Sequence, residues 1–275
     1  MNSLRPRLMT AAIGIPAAVF VMIITELWHP LTCIMAGIAS GMMVIEYLSA
    51  RRLTSCVPLM VSCVAFSALT PMLVITPYAY ITAVLFLIAA FGVLIYLHNK
   101  LTLSSFTYAI SGTVLITFGM SAFSTAVNNE ASPSFFFAML LLLPWMADGG
   151  GYFIGSKFGK RRLCPQISPK KTVEGAIGGF VFCLVSALIM GIVFQLIIRD
   201  YAVNFASLII LALLDSVVSI LGDISFSLIK RHLNIKDYGS FFPGHGGVLD
   251  RFDSIIFTAP VAVAVNIILP FLTAV

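Results

Sequence analysis

The sequence predicts an all-α, polytopic membrane protein with about nine transmembrane helices and a cytoplasmic N-terminus. Three observations predict it. Of 275 residues, 60% are hydrophobic and only 10% are charged, against about 25% charged in an ordinary soluble domain. So few charges cannot clothe a water-facing surface, so the bilayer must be the main solvent. The apolar residues fall in long runs, and a spanning helix needs about 20 of them. The 16 Lys and Arg residues gather in alternate loops between those runs, as the positive-inside rule requires of a threaded chain.

The runs are roughly 9–27, 31–49, 55–75, 77–97, 107–127, 134–155, 174–198, 203–229 and 254–274. The first follows Arg5-Pro6-Arg7 and begins like a signal peptide. No small-residue cleavage site follows; Glu26, Trp28 and His29 come next, then another span, so it is read as a retained helix. The third and fourth are divided only by Pro77. The fifth ends in a plain polar turn, Asn128-Asn129-Glu130. Asp148 and the three glycines after it are expected to break the sixth span early, because interrupted helices at membrane depth usually line a cavity. The five cysteines show no CxxC pairing and read as small packing residues.

Following the basic residues through these spans orients the chain. Arg5, Arg7, Arg51, Arg52, Lys100, Lys157, Lys160, Arg161, Arg162, Lys170, Lys171, Lys230, Arg231, Lys236 and Arg251 all fall on one side; Arg199 is the single exception. That side is the cytoplasm of an inner membrane. The only sizeable polar stretches, 156–173 and 230–253, lie there. Residues 1–130 read as scaffold and residues 131–275 as the part that carries chemistry, within one integral membrane domain.

Seven of the 11 acids lie in or near that second part: Asp148, Glu174, Asp215, Asp223, Asp237, Asp250 and Asp253. An unpaired Asp at a helix centre costs about 2.5–3.5 kcal/mol on the insertion scale, so such acids need partners, water or a cation. Asp215, Ser219, Asp223 and Ser227 recur every four residues and line one helix face, joined by Lys230. At 1.5 Å per residue Asp223 sits about 10 Å from the inner end of its span. Gly244-His245-Gly246-Gly247 allows close backbone approach to a ligand. Asp250 and Asp253 open the last helix. Beside Asp223 they favour a hard-cation site, and Mg²⁺ takes one or two carboxylates plus substrate phosphates. Zinc is disfavoured, because His245 is the sole nitrogen ligand nearby. In Ser168-Pro169-Lys170-Lys171-Thr172-Val173-Glu174, Ser168 or Thr172 can cap a helix whose N-terminus, with the lysines, would bind an anion. Acids for a cation, lysines for phosphates and a place at the lipid interface point to phosphoryl or nucleotidyl transfer involving a lipid. No Walker A, GxSxG or HExxH pattern is present.

From Ser227 the chain closely resembles the phosphatidate cytidylyltransferase (CDP-diacylglycerol synthase) family. The residues that carry the resemblance are Ser227-x-Ile229-Lys230-Arg231, Lys236-Asp237-x-Gly239 and Pro243-x-His245-Gly246-Gly247-x-x-Asp250-Arg251-x-Asp253. The Ser168–Glu174 segment, Asp148 before its glycines, and Gly222-Asp223 are similar too. The resemblance is strong over 144–260; residues 1–130 share only a hydrophobic plan.

It implies transfer of the cytidylyl group of CTP to phosphatidate by an all-helical, homodimeric membrane enzyme, without nucleic acid as a partner. It implies Mg²⁺ on Asp223 and Asp250, with a monovalent cation such as K⁺ beside it. On that frame Asp223, Asp250, Asp253, Lys230, Arg231 and His245 are the candidate catalytic residues. Ser168, Lys170, Lys171, Thr172, Lys236, Gly246, Gly247 and Arg251 are candidates for substrate binding. Asp148 and Glu174 are further metal candidates. Two other readings compete with it. A cation-coupled transporter would place its acids at the midplane of an inverted repeat, and no repeat is found. Another lipid–nucleotide transferase, of the CDP-alcohol type, would need Ala-Arg where Tyr152-Phe153 stand.

Overall fold

The computed structural model describes residues 4–28, 30–128, 131–197, 200–242 and 246–274, with side chains from Pro16 onward. Among them are nine α-helices: α1 (Leu4–Leu27), α2 (Pro30–Ala50), α3 (Val57–Leu73), α4 (Tyr78–Tyr96), α5 (Leu103–Val127), α6 (Pro133–Phe158), α7 (Val173–Ile197), α8 (Phe205–His232) and α9 (Leu249–Ile268). Four short strands accompany them: β1 (Arg162–Cys164), β2 (Ser168–Thr172), β3 (Tyr201–Val203) and β4 (Leu272–Ala274). The nine apolar runs thus become nine helices. By length and composition seven of these, α2 and α4 to α9, can cross a membrane; α3 has 17 residues, a reach of about 25 Å.

The chain divides into two compact units, residues 1–128 with 232–252, and residues 129–231 with 253–275. In the first, α2 packs on α3 and α5. Small residues permit this: a Cβ at Gly37 would strike the Ala68 carbonyl, and one at Gly112 would strike the Tyr47 ring. The Ser40 and Ser67 hydroxyls bond between α2 and α3 at 2.6 Å, the kind of polar contact that joins helices in lipid. Helix α4 buries only Phe86 and Ala90 and leaves its other apolar side chains outward, as a lipid-facing helix does.

In the second unit α6 and α7 form the longest seam. Here one expectation is corrected. Asp148 and its glycines do not break the sixth span; α6 runs unbroken from Pro133 to Phe158. Two of those glycines let α7 approach instead. A Cβ at Gly150 would lie 2.6 Å from the Phe182 side chain, one at Gly175 2.7 Å from the Gly151 carbonyl, and one at Gly179 2.5 Å from the Ala147 carbonyl.

The last span is also corrected. It begins at Leu249 and ends at Ile268, because Pro270 lacks an amide to continue it. Beyond, β4 pairs antiparallel with β3, Tyr201 opposite Ala274. Helices α8 and α9 approach at Gly222, where a Cβ would meet the Asp253 carbonyl at 2.8 Å.

Candidate active site

In the second unit a hairpin of β1 and β2 leads into α7. Thr172 Oγ1 accepts the Gly175 amide at 3.1 Å, so Thr172, and not Ser168, caps the helix; Ser168 lies in β2. Glu174 takes the amides of Lys160 at 3.0 Å and Arg161 at 3.2 Å, and Arg162 Nη1 donates to the Pro169 carbonyl at 2.6 Å. Those bonds fix the loop that presents Lys171. Its ammonium meets Asp223 Oδ2 at 2.5 Å, with both side chains about a quarter exposed.

The polar stripe on α8 continues on either side. Ser227 Oγ donates to Asp223 Oδ1 at 3.3 Å. Lys230 is 8% exposed and Asp253 of α9 also 8%, and Asp253 lies within Coulombic range of Asp223, Lys230 and Asp148. The Asp253 carboxylate accepts the Ser254 amide at 2.8 Å, while Ser254 Oγ reaches Asp148 Oδ2 at 3.4 Å. Three carboxylates and two lysines therefore share one electrostatic neighbourhood. Arg231 lies at its edge, its Nε on the Ile167 carbonyl at 3.3 Å. Lys170 is exposed. Deeper on α8, Asp215 is buried beside Thr258 and near Asp148.

In the first unit Asp250 is the centre of the loop that precedes α9. Its Oδ2 accepts the amides of Tyr238 at 2.8 Å and Gly247 at 3.0 Å. The Phe242 amide donates to the Gly246 carbonyl at 2.9 Å. Gly246 has φ +89°, and a Cβ there would come 2.9 Å from Asp250 Oδ2, so the left-handed backbone and the close approach both require glycine. Gly247 is buried, and Lys236 and Arg251 are exposed. His245 lies outside the described residues.

Sequence reasoning missed Glu46 of α2. Its Oε1 accepts the Val248 amide at 3.0 Å and its Oε2 the Leu249 amide at 2.8 Å. An acid inside an apolar span was the available signal. Tyr47 beside it stacks on Tyr108 with ring centroids 4.3 Å apart and leans on Tyr238 at 6.1 Å, and the Tyr108 hydroxyl donates to the Tyr47 carbonyl at 2.9 Å.

A model of the cytidylyltransferase family matches residues 5–269. The chain belongs to that family. As a cytidylyltransferase-family member it is similar to phosphatidate cytidylyltransferases of several bacteria. It is 46% identical to that of Bacillus subtilis strain 168 over 125 residues, 46% of this chain and 44% of the relative. It is 34% identical to that of Thermotoga maritima over 162 residues, 58% of each chain. It is 41% identical to that of Haemophilus influenzae over 129 residues, 46% of this chain and 43% of the relative. The matched stretches thus span about half the length of these relatives. The family match also reaches well into the N-terminal helices, where the sequence alone offered only a hydrophobic plan.

The donors around Asp223 are oxygens and ammonium groups. Among the described residues no three His, Cys, Asp or Glu side chains form a cage for a metal. Of these donors only the carboxylate oxygens could ligate a cation, and Mg²⁺ is the ion that takes as few as one or two carboxylates together with waters and substrate phosphates.

Proposed function

We propose that this chain transfers the cytidylyl group of CTP to phosphatidate, giving CDP-diacylglycerol and pyrophosphate. The observation that carries the reading is the Lys171–Asp223 pair set among Asp148, Asp253 and Lys230 at the end of membrane-length helices. Cations and acids alternating at such a place suit a reaction between a lipid phosphate and a nucleotide triphosphate.

The attacking group is a phosphate monoester, whose second pKa near 6 leaves it largely ionised at neutral pH. A strong general base is therefore unnecessary. A phosphatidate oxygen attacks the α-phosphorus of CTP, the bond to the bridging oxygen of the β-phosphate breaks, and pyrophosphate leaves with that electron pair. The difficulty is to bring two anions together. Lys171, Lys230, Lys170 and Arg231 hold phosphate oxygens, and Gly246 and Gly247 shape the loop that presents Asp250. By the resemblance, Asp223, with Asp148 and Asp253 around it, would hold Mg²⁺, and Asp250 is a further candidate ligand. When bound, Mg²⁺ would neutralise the triphosphate and polarise the attacked phosphorus. Glu174 positions the loop that carries Lys171. A monovalent cation, a homodimer and a site facing the cytoplasm of the inner membrane belong to the same proposal, through the resemblance and the one-sided charge.

Purified protein in detergent, given labelled CTP, phosphatidate and Mg²⁺, is expected to form a labelled CDP-lipid. Asp223→Asn and Asp250→Asn should each lower that rate by on the order of 100-fold with the thermal midpoint held within a few degrees. Absence of product in the wild type, or undiminished rates in both variants, overturns the reading.

A further inference from the structure

Glu46 stands in a helix that the reaction as proposed does not use, and its setting asks for a reason. A carboxylate within an apolar span is costly unless partnered. Its partners are two successive amides at the start of α9, Val248 at 3.0 Å and Leu249 at 2.8 Å. The first amides of a helix lack partners within the helix and favour an anion. The preceding amide, Gly247, goes to Asp250, so amides 247 to 249 are divided between two acids. The surroundings are built for this grip: a Cβ on Gly239 or Gly247 would collide with the Glu46 carboxylate.

We infer that Glu46 is a positioning residue for Asp250. It occupies the start of α9 as an internal anion, fixes residues 247–249, and through them sets where Asp250 presents its carboxylate. That terminus is consequently closed to substrate phosphate. The inference about activity rests on the cytidylyl-transfer reading; the inference about the loop does not.

Glu46→Gln keeps the shape and one acceptor oxygen but turns a donor toward the second amide. Glu46→Ala removes both acceptors. Hydrogen exchange followed by mass spectrometry should show the segment holding Val248 and Leu249 slow in the wild type, faster in E46Q and fastest in E46A. The segment around Ile116 of α5 should not change. Transfer activity should fall about 10–100-fold, as when a residue orienting a metal ligand is lost. In an Asp250→Asn background E46Q should add little, because it acts through Asp250. Acetate should slow exchange and restore part of the activity in E46A but not in the wild type. Ser49→Ala, one turn away on the exposed side, should match the wild type. Should E46A fail to fold, E46Q and its D250N combination carry the test. Unchanged exchange in E46Q, or full additivity with D250N, overturns the inference. A wild type without transfer activity but with the exchange pattern intact would sink the proposed reaction and leave the loop assignment standing.

Discussion

Lys171 and Asp223 neutralise each other where both are about a quarter exposed. The Lys171 ammonium is itself enclosed, but Asp223 keeps about a quarter of its side chain exposed and has Lys230 in the same electrostatic neighbourhood, so the pair is poorly explained as a structural brace. Lys171→Met should therefore shift the thermal midpoint by no more than a few degrees while lowering CDP-lipid formation by on the order of 100-fold; a large drop in midpoint with retained turnover would reverse that assignment. At this scale much was legible in sequence. Lys171, Asp223, Lys230 and Asp253 were named from their types and spacing, and they share one neighbourhood in the second unit. Glu46 was not named, because its partners are backbone amides and carry no side-chain signature. Glu174, a metal candidate by the resemblance, likewise takes backbone amides, those of Lys160 and Arg161, which no sequence pattern announces.

Between helices, glycine was the residue most easily misread. Asp148 followed by three glycines looks like a break, yet Gly150 and Gly151 face α7 across a seam where backbone nearly meets backbone. Conformational freedom and close packing leave the same letter in the sequence. Only the facing glycines at 175 and 179, on another helix, separate the two. Gly179→Ala should consequently destabilise the protein by about 1–3 kcal/mol, the usual cost of overpacking, because its Cβ would press on the Ala147 carbonyl at 2.5 Å; a melting curve in detergent measures it. Asp215 on α8 makes the opposite case. It is 3% exposed, with the Thr258 hydroxyl as its polar neighbour and the carboxylate of Asp148 near it. A buried carboxylate so placed is a cost to the fold. Asp215→Asn keeps the shape without a charge to desolvate, so its midpoint at neutral pH should equal or exceed the wild type, with transfer activity within about twofold.

For the molecule as a whole, hydropathy conveyed the helices well because each run needs no partner to be recognised. Their ends were less legible. Pairing of β4 with β3 joins positions some 70 residues apart, and no local pattern announces it. The proposed orientation is open to a direct test with the chain's own cysteines. Cys33, Cys63 and Cys183 are buried, whereas Cys56 and Cys164 are partly accessible and both fall on the basic side. An impermeant maleimide should label inverted membrane vesicles and spare right-side-out ones; the reverse result would invert the topology. The grip of Glu46 on Val248 also has a consequence in time. The two residues are 202 positions apart. At about 5–20 residues per second the ribosome needs on the order of 10–40 s to reach from one to the other. Through that interval α2 sits in the membrane with an acid whose partners have not been made. The first unit is thus open while the second is being threaded, and it closes only when the glycine loop emerges, which makes the maturation of this fold an ordered event with its last bond supplied late.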